Sequence, residues 1–246
     1  MLDREIVRED KITIMSGAGI SAESGVPTFR GKDGLWKGYD ATKLATPEAF
    51  NADPNMVLDW YKWRRELVGE CQPNPAHISI AAIEEAGYDV MIVTQNIDNL
   101  HRKAGSKRII ELHGNIFRVR CASGCPGIID LPTDEIENDP QTECAECGAP
   151  LRPHVVWFGE MLDANDIYEA QKRLAETTLL FIVGTSGVVQ PAASFGYIAK
   201  DAGAYVVEVN MEYTPLSAMA DVTLIGPAGE VLSTIFKPLI NENASA

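Results

Sequence analysis

The chain contains the stretch Ile12-Thr13-Ile14-Met15-Ser16-Gly17-Ala18-Gly19-Ile20, an apolar run that leads directly into a glycine turn. Short, continuous apolar runs of this kind are typical of strands buried on both faces of a parallel sheet. A glycine turn after such a strand lets backbone N–H groups approach a phosphate at the start of a helix. Because a plain strand-to-helix turn has the same pattern, the turn alone makes a nucleotide site only one hypothesis.

Three further apolar runs are of the same kind, and each ends in a turn or loop rich in Gly, Ser or Asn: Val90-Met91-Ile92-Val93, Leu179-Leu180-Phe181-Ile182-Val183 and Tyr205-Val206-Val207-Glu208-Val209. Helical patterns lie between the runs, as at Ala76 to Ala86 and Ala164 to Ala175. This alternation predicts an α/β fold with a Rossmann-like, doubly wound parallel sheet. Ligands of such sheets bind beyond the carboxyl ends of the strands.

Two stretches interrupt the alternation. Residues 31–74 are helical in pattern and rich in aromatic residues, and residues 118–153 carry cysteines among Gly, Pro and acidic residues. We interpret both as insertions that form a second, smaller lobe. The Rossmann-like domain then consists of residues 1–30, 75–117 and 154–246, and its last six residues, 241–246, are expected to be a frayed tail.

The composition is that of a globular protein: 246 residues, of which 46% are hydrophobic and 23% are charged. A net charge of −14 disfavours general affinity for nucleic acid or anionic membranes and favours a basic ligand, although acidic surfaces also serve solubility alone. No charge-free stretch approaches the ~18 apolar residues that span a bilayer. We therefore expect a cytoplasmic protein without nucleic-acid or membrane partners.

Four of the five cysteines form two close pairs, Cys121 with Cys125 and Cys144 with Cys147, separated by eighteen residues. Two such knuckles can meet around one tetrahedral zinc ion, which makes the second insertion a zinc ribbon. Two disulfides or four unrelated cysteines are the alternatives, and a cytoplasmic setting disfavours the disulfides. Four thiolates leave no position for water, so the metal is expected to be structural.

Cys71 has no partner in this pattern and is expected to fill a small apolar space or to lie exposed.

The glycine turn continues into Thr28-Phe29-Arg30-Gly31, and three more polar motifs follow along the chain: Thr94-Gln95-Asn96-Ile97-Asp98, Leu112-His113-Gly114-Asn115 and Gly184-Thr185-Ser186. In content and order, with the zinc ribbon before the last of them, these motifs resemble the sirtuin family. The resemblance reaches Ala228-Gly229-Glu230. It implies an NAD-dependent protein-lysine deacylase with NAD as cosubstrate, a structural zinc ion, and acyl-lysine proteins or peptides as partners. The implied products are nicotinamide and O-acyl-ADP-ribose.

His113 is the candidate general base, because imidazole titrates near neutral pH and the resemblance places this residue beside the ribose hydroxyls. Asn96 and Asp98 are the other candidate catalytic residues. By the same resemblance, Asp98 contacts the nicotinamide carboxamide and Gln95 faces the ribose. The residues expected to bind NAD are Gly17, Ala18, Gly19, Ile20, Glu23, Thr28, Phe29, Arg30, Trp36, Gln95, Asn96, Ile97, Asp98, His113, Gly184, Thr185, Ser186, Asn210, Met211, Glu212 and Ala228.

Phe29 is expected to shield the reactive ribose carbon from water, and Arg30 to hold polar groups of the cofactor; the alternatives are a packed aromatic ring and a surface cation. The motifs after the two later strands are expected to contact the adenosine half, with Ala228 near the adenine. The three histidines outside the motifs are expected to be ordinary helix, surface or loop residues: His77, His101 and His154.

Two features concern the acyl-lysine substrate. Val155-Val156-Trp157-Phe158-Gly159-Glu160 is predicted to be an extended segment, and in sirtuins the equivalent stretch pairs with the substrate main chain. A plain buried strand is the alternative. In the helical insertion, Tyr61 and Arg64 are i,i+3 neighbours, so that a phenol and a guanidinium can receive one carboxylate together. This pair resembles that of sirtuins that remove succinyl and malonyl groups; the alternative is that Arg64 is a solvated helix residue.

Two other functions stay open. A protein ADP-ribosyltransferase could use the same NAD site with an amino-acid acceptor, and a non-catalytic protein could bind NAD in order to recruit partners. The joint presence of His113, Asn96 and Asp98 disfavours the non-catalytic function.

Overall fold

A parallel sheet of six strands forms the centre of the computed structural model, which describes residues 2–27, 35–36, 39–131, 143–190 and 192–243. The strands in these ranges are β1 (Lys11–Ser16), β2 (Leu35–Trp36), β3 (Tyr39–Asp40), β4 (Asp89–Thr94), β5 (Ile109–Glu111), β6 (Gly114–Cys121), β7 (Ile128–Asp130), β8 (Leu151–Val155), β9 (Leu179–Val183), β10 (Tyr205–Asn210) and β11 (Val222–Ile225). The α-helices are α1 (Ala41–Leu44), α2 (Pro47–Ala52), α3 (Pro54–Glu70), α4 (Pro75–Glu85), α5 (Leu100–Lys103), α6 (Ala164–Glu176), α7 (Ala192–Asp201) and α8 (Ala228–Asn243). Two 3₁₀ helices complete this part of the chain, Ala18–Ser24 and Pro215–Ala218.

The strand order in the large sheet is β11-β10-β9-β1-β4-β5, and every neighbouring pair is parallel. This confirms the predicted Rossmann-like α/β fold, and the four predicted apolar runs are indeed strands β1, β4, β9 and β10. Apolar runs do not predict β5 and β11, because these are short, half-buried edge strands. The chain continues from β1 to β4 on one side and later occupies β9 on the other, so the strand order reverses at β1. Nucleotides bind at such a switch point, at the carboxyl ends of the strands.

Helices cover both faces of the sheet, because alternate residues of each buried strand point to opposite faces. On one face, Ile12 and Ile14 of β1 pack with Phe181 of β9 against α4 and α8. On the other face, Met15 of β1 and Ile182 of β9 pack against α6 and α7. Both faces need an apolar layer, which is why the strands are continuous apolar runs.

Three of the described α-helices begin with a polar N-cap followed by proline: α2 after Thr46, α3 after Asp53 and α4 after Asn74. Each cap side chain accepts a backbone N–H that has no partner inside the helix, while proline at the first position has no N–H to satisfy. Asn74 also donates its side-chain N–H to the Ile20 carbonyl over 2.7 Å. The start of α4 is thereby tied to the glycine turn.

A second, antiparallel sheet has the order β7-β6-β8, and β6 begins directly after His113. Side chains of α3 and of this sheet share an apolar cluster that contains Trp60, Ile116 and Trp157. The small sheet spans residues 114–155. The division of the chain into a Rossmann-like domain and two modules stays a prediction.

The predicted helical patterns are confirmed as α4 and α6. The prediction of a frayed tail from residue 241 is wrong for residues 241–243, because α8 continues through them; residues 244–246 lie outside the described residues. In the described part of the chain, no helix combines the length and apolar character that crossing a bilayer requires.

Candidate active site

The glycine turn after β1 lies against the turn after β9. The Gly17 N–H donates to the Val183 carbonyl over 3.0 Å, and the Gly19 N–H donates to the Gly184 carbonyl over 2.7 Å. A Cβ atom at Gly19 would lie 2.7 Å from the Gly184 Cα, and Gly184 itself has a φ of +59°. Only glycine allows this approach, so the two turns meet at the switch point backbone to backbone, with no side chain between them.

A buried hydrogen-bond chain joins the glycine turn to the segment after β4. The Asn96 side chain donates to the Gly17 carbonyl and to the Ser21 hydroxyl, each over 3.1 Å. The Ser21 hydroxyl donates to Asp98 over 2.6 Å, and the Leu100 N–H donates to the other Asp98 oxygen over 3.0 Å. Burial raises the pKa of Asp98 despite these hydrogen bonds. Asn96 and Asp98 therefore have partners in the protein that fix the position of the glycine turn.

Ser21 is a member of this chain that sequence reasoning did not single out. Its side chain is fully buried and bonds to both predicted catalytic residues of the segment after β4. The available signal was a hydroxyl residue two positions after Gly19, on the 3₁₀ helix that the glycine turn begins.

His113 lies beside the same segment. Its Nδ1–H donates to the Gln95 carbonyl over 2.9 Å, since a carbonyl can only accept, and the neutral ring therefore keeps its free lone pair on Nε2. Burial lowers the pKa of His113, although the hydrogen bond to Gln95 opposes that shift. Gln95 also donates from its side chain to the Thr185 hydroxyl over 3.2 Å. The motifs after β4, β5 and β9 thus converge.

The residues predicted to bind adenosine lie along the continuation of this edge. Asn210 donates from its side chain to the Thr185 carbonyl over 2.8 Å, which joins the turns after β9 and β10. Ser186, Met211 and Glu212 are exposed, whereas Ala228 is buried at the start of α8. Their contacts with a nucleotide stay predictions.

Glu23 of the first 3₁₀ helix has a structural partner. Its carboxylate accepts the Gly229 N–H over 2.7 Å, where α8 begins. A negative charge is favourable at that position because the N-terminus of a helix carries a partial positive charge. Glu23 therefore joins the glycine turn to the last helix.

Several predicted cofactor residues lie outside the described residues. Thr28, Phe29 and Arg30 belong to this group, and so does the side chain of Trp36, whose backbone is part of β2. The predicted shielding and clamping of the cofactor by Phe29 and Arg30 stay predictions.

None of the three remaining histidines is exposed, so the expectation of surface residues among them is wrong. His77 and His101 lie on α4 and α5 with ring centroids 4.8 Å apart, and both are buried. His101 Nε2 bonds to the Ser16 hydroxyl over 2.9 Å, and burial lowers its pKa well below the usual value. His154 is half-buried in β8, a strand and not a loop.

The Tyr61 and Arg64 side chains are both buried on α3, 1% and 3% exposed. Arg64 is therefore not the solvated residue that was the alternative. Burial raises the pKa of Tyr61 to about 12 and lowers the pKa of Arg64 to about 10, so at neutral pH the phenol is protonated and the guanidinium is charged. The guanidinium carbon lies 4.8 Å from the Trp60 ring centroid and 5.7 Å from that of Tyr61.

The segment from Val155 to Glu160 was predicted to be extended, but only its first residue belongs to a strand, β8. The strand ends at Val155, and a turn follows in which the Glu160 N–H donates to the Trp157 carbonyl over 2.9 Å. Trp157 is buried and Phe158 is 48% exposed. The prediction of one extended segment is wrong from Trp157 onward, because Glu160 turns back to pair with Arg152 inside β8. At Val156, the N–H donates to the His113 carbonyl over 3.0 Å, which joins this segment to the candidate base.

The four paired cysteines come together at the end of β6, whose last residue is Cys121. The Sγ atoms of Cys121, Cys125, Cys144 and Cys147 all lie within 4.8 Å of one another, and Cys121 and Cys147 are 3.5 Å apart. Zinc–sulfur bonds of about 2.3 Å place tetrahedral thiolates roughly 3.8 Å apart, so the cluster fits a zinc ion. The cysteines are free and not disulfide-bonded. With four protein ligands, such a site is structural.

Comparison with protein-family models identifies the Sir2 family, whose model matches residues 17–191. A NAD-dependent protein deacylase of Pyrococcus furiosus is 49% identical over 227 residues, which cover 91% of each chain. NAD-dependent protein deacylase 1 of Archaeoglobus fulgidus is 44% identical over 234 residues, which cover 95% of each chain.

Solved structures agree with the sequence relatives. The crystal structure of a Sir2 homologue in complex with NAD has a TM-score of 0.87 and 44% sequence identity, and the match covers 96% of this chain and 92% of that chain. A complex of Sir2 with a p53 peptide and NAD+ has a TM-score of 0.78 and 30% identity, with 97% and 95% covered. The matched regions include every motif of the candidate site as far as residue 191.

Proposed function

The chain belongs to the Sir2 family, and we propose from this premise that it uses NAD to remove acetyl, succinyl and malonyl groups from protein lysines. Its curated relatives are NAD-dependent protein deacylases that match it over nearly the full length of both chains, which makes it an NAD-dependent protein-lysine deacylase. The finer part of the proposal, the acidic acyl groups, rests on the buried Tyr61–Arg64 pair.

The residues at the switch point fit a dinucleotide. The two glycine turns meet without side chains at the carboxyl ends of β1 and β9, which is where a pyrophosphate lies in such sheets. Thr185 and Asn210 continue the polar edge toward the adenosine side. When bound, NAD supplies a ribose carbon that becomes electrophilic as nicotinamide leaves.

His113 is the residue that we assign as general base. Its Nδ1–H is held by Gln95, so Nε2 is the atom available to take a proton from a ribose hydroxyl. The lowered pKa keeps this nitrogen unprotonated at neutral pH. The bond between His113 and Gln95 is the single observation that carries the assignment, since it fixes both the ring orientation and the tautomer.

Substrate binding is assigned to residues 155–160 and to the acyl pocket. A substrate main chain bound along this segment would bring its lysine side chain beside His113, because the Val156 N–H bonds to the His113 carbonyl and holds the segment next to it. The acyl group would then extend toward Tyr61 and Arg64. A protonated phenol and a buried guanidinium can bind a carboxylate at its far end. The net charge of −14 fits a lysine-rich protein partner.

The experiment that tests the function is incubation of the purified protein with NAD and one peptide in acetyl-, malonyl- and succinyl-lysine forms. Nicotinamide and deacylated peptide should appear in equal amounts, together with O-acyl-ADP-ribose. Transfer of label from NAD to protein without loss of the acyl group would instead identify an ADP-ribosyltransferase. Binding of NAD without turnover would identify a non-catalytic protein.

Arg64→Met should lower kcat/KM for desuccinylation about tenfold to hundredfold, because a hydrogen-bonded ion pair to a buried carboxylate contributes about 1.5–3 kcal/mol. Deacetylation should change much less, since an acetyl group has no carboxylate to lose. Lys62→Met is the matched control, because it removes a half-buried cation from the same helix. Equal losses for both acyl groups in Arg64→Met would contradict the carboxylate assignment.

A further inference from the structure

The Tyr61 hydroxyl already has one hydrogen-bond partner, and that partner lies 96 residues away in the chain. The Trp157 indole N–H donates to the Tyr61 oxygen over 2.9 Å. The two rings are stacked, with centroids 6.4 Å apart and an interplanar angle of 28°. Both side chains are buried.

This hydrogen bond determines what the phenol can still do. An indole N–H is a donor only, so the Tyr61 oxygen is the acceptor and its own proton must point elsewhere. Within the described part of the chain, no acceptor receives that proton. A buried donor of this kind calls for an acceptor, and the positive charge of neighbouring Arg64 favours an anionic one.

The indole is itself held from several directions. The Glu160 carboxylate accepts the Trp157 backbone N–H over 2.9 Å and pairs with the Arg152 guanidinium. The Arg152 guanidinium carbon lies 3.3 Å from the Trp157 ring centroid, and the Phe50 ring lies 5.1 Å away. A side chain fixed in this way can orient the group to which it donates, because its own rotamer is already determined.

We propose that Trp157 is a positioning residue for acyl selectivity: its indole N–H holds the Tyr61 hydroxyl so that the phenolic proton is directed to the carboxylate of a succinyl or malonyl group. The inference rests on the proposed acyl pocket and goes one step beyond it. Trp157 belongs to the segment assigned to substrate main-chain binding, so one residue would link that segment to the choice of acyl group.

The test is a double-mutant cycle with Trp157→Phe and Tyr61→Phe, and the measured quantity is the ratio of kcat/KM for succinyl-lysine to kcat/KM for acetyl-lysine in one peptide. Trp157→Phe keeps an aromatic ring and removes the donor together with part of the buried indole, a packing loss that the Trp60→Phe control reproduces. The ratio should fall about fivefold to tenfold in the wild-type background, as expected for the loss of one oriented hydrogen bond. In the Tyr61→Phe background, the same substitution should leave the ratio unchanged, because the hydroxyl is already absent.

Trp60→Phe is the matched control. It also removes a buried indole that packs against Tyr61, with centroids 4.8 Å apart, but the Trp60 N–H has no acceptor among the described residues. Because phenylalanine keeps a ring face toward the Arg64 guanidinium, the ratio in Trp60→Phe should stay close to the wild-type value. An equal fall of the ratio in both Tyr61 backgrounds, or an equal fall in Trp60→Phe, would overturn the inference.

A second readout does not depend on turnover. In a ¹⁵N–¹H spectrum, the indole resonance that disappears in Trp157→Phe is that of Trp157, and it should shift and exchange faster with solvent in Tyr61→Phe. If Arg64→Met and Tyr61→Phe lower the ratio but Tyr61→Phe leaves the Trp157 indole resonance unchanged, the acyl pocket is supported and the proposed role of Trp157 is contradicted. If Tyr61→Phe shifts the Trp157 indole resonance but neither Arg64→Met nor Tyr61→Phe lowers the ratio, the hydrogen bond exists. The acyl-pocket proposal is then contradicted, and so is any role of Trp157 in selectivity.

Discussion

His113 is neutral at physiological pH for a physical reason. Burial of the ring removes the water that would stabilise an imidazolium ion, and this lowers its pKa more than the Gln95 carbonyl raises it. A general base must be unprotonated, so activity is retained above the lowered pKa and is lost as the pH falls through it. The residue is therefore suited to accept a proton at neutral pH.

The pH profile of kcat/KM should accordingly have an acidic limb below 6.5, the usual pKa of histidine. His113→Ala should lower kcat about hundredfold to ten-thousandfold, and the residual activity should lack that limb. His154→Asn serves as control, since it removes another partly buried histidine and should leave the limb in place. A limb at or above 6.5 in the wild type would argue against the assignment of the base.

At the scale of elements, the turns after β1 and β9 lie too close together for a side chain between them. A Cβ at position 184 would lie 2.3 Å from the Ile20 nitrogen and 2.5 Å from the Gly19 carbonyl carbon. These are backbone atoms and cannot rotate away. An added side chain must therefore separate the two turns, and the surface assigned to NAD separates with them.

Gly184→Ala should lower the free energy of unfolding by about 2–5 kcal/mol, because a positive φ costs about 1–2 kcal/mol and overpacking adds about 1–3 kcal/mol. The control is Gly203→Ala, where φ is +92° but nothing lies within 4 Å of the added methyl group. Gly203→Ala should lose only the about 1–2 kcal/mol that a positive φ costs, and it should keep its affinity for NAD. Urea titration measures both losses, and equal losses would contradict the close approach.

At the scale of the whole molecule, the end of the small sheet that carries the four cysteines has little apolar core of its own. The apolar cluster around it is small, with Val119, Cys121, Leu131 and Leu151 as its buried members. So small a core needs the cross-link that a structural metal provides. His113 and the start of β6 are adjacent in the chain, so loss of the small sheet would also disturb the base.

The purified protein should contain one zinc ion per chain, and Cys144→Ser should lose it, together with most activity, while the parallel sheet stays folded. Metal analysis gives the zinc content, and circular dichroism reports on the folded sheet. Cys71→Ser is the control, because Cys71 lies outside the cluster and should keep the metal. Full activity in zinc-free Cys144→Ser would show that the cluster is dispensable.

The accuracy of sequence-based prediction varied with the range of the interactions involved. β1 and β9 were predictable because both faces of each strand are buried, so a continuous apolar run suffices. β11 was not, because its residues are only half-buried at an edge. The burial of His101, on helix α5, was missed because its partner, Ser16, lies 85 residues away on strand β1.

The sequence by itself determined the central strands, the cysteine pairs and the polar motifs that follow the strands, since each of these depends on residues close together in the chain. Only the tertiary structure decided that β9 lies beside β1, which brings Gly184 against Gly19, and that the Trp157 indole reaches the Tyr61 hydroxyl. The physical reason is that strand order and buried side-chain contacts depend on packing among distant segments, and no local pattern of residues records which distant segments will meet.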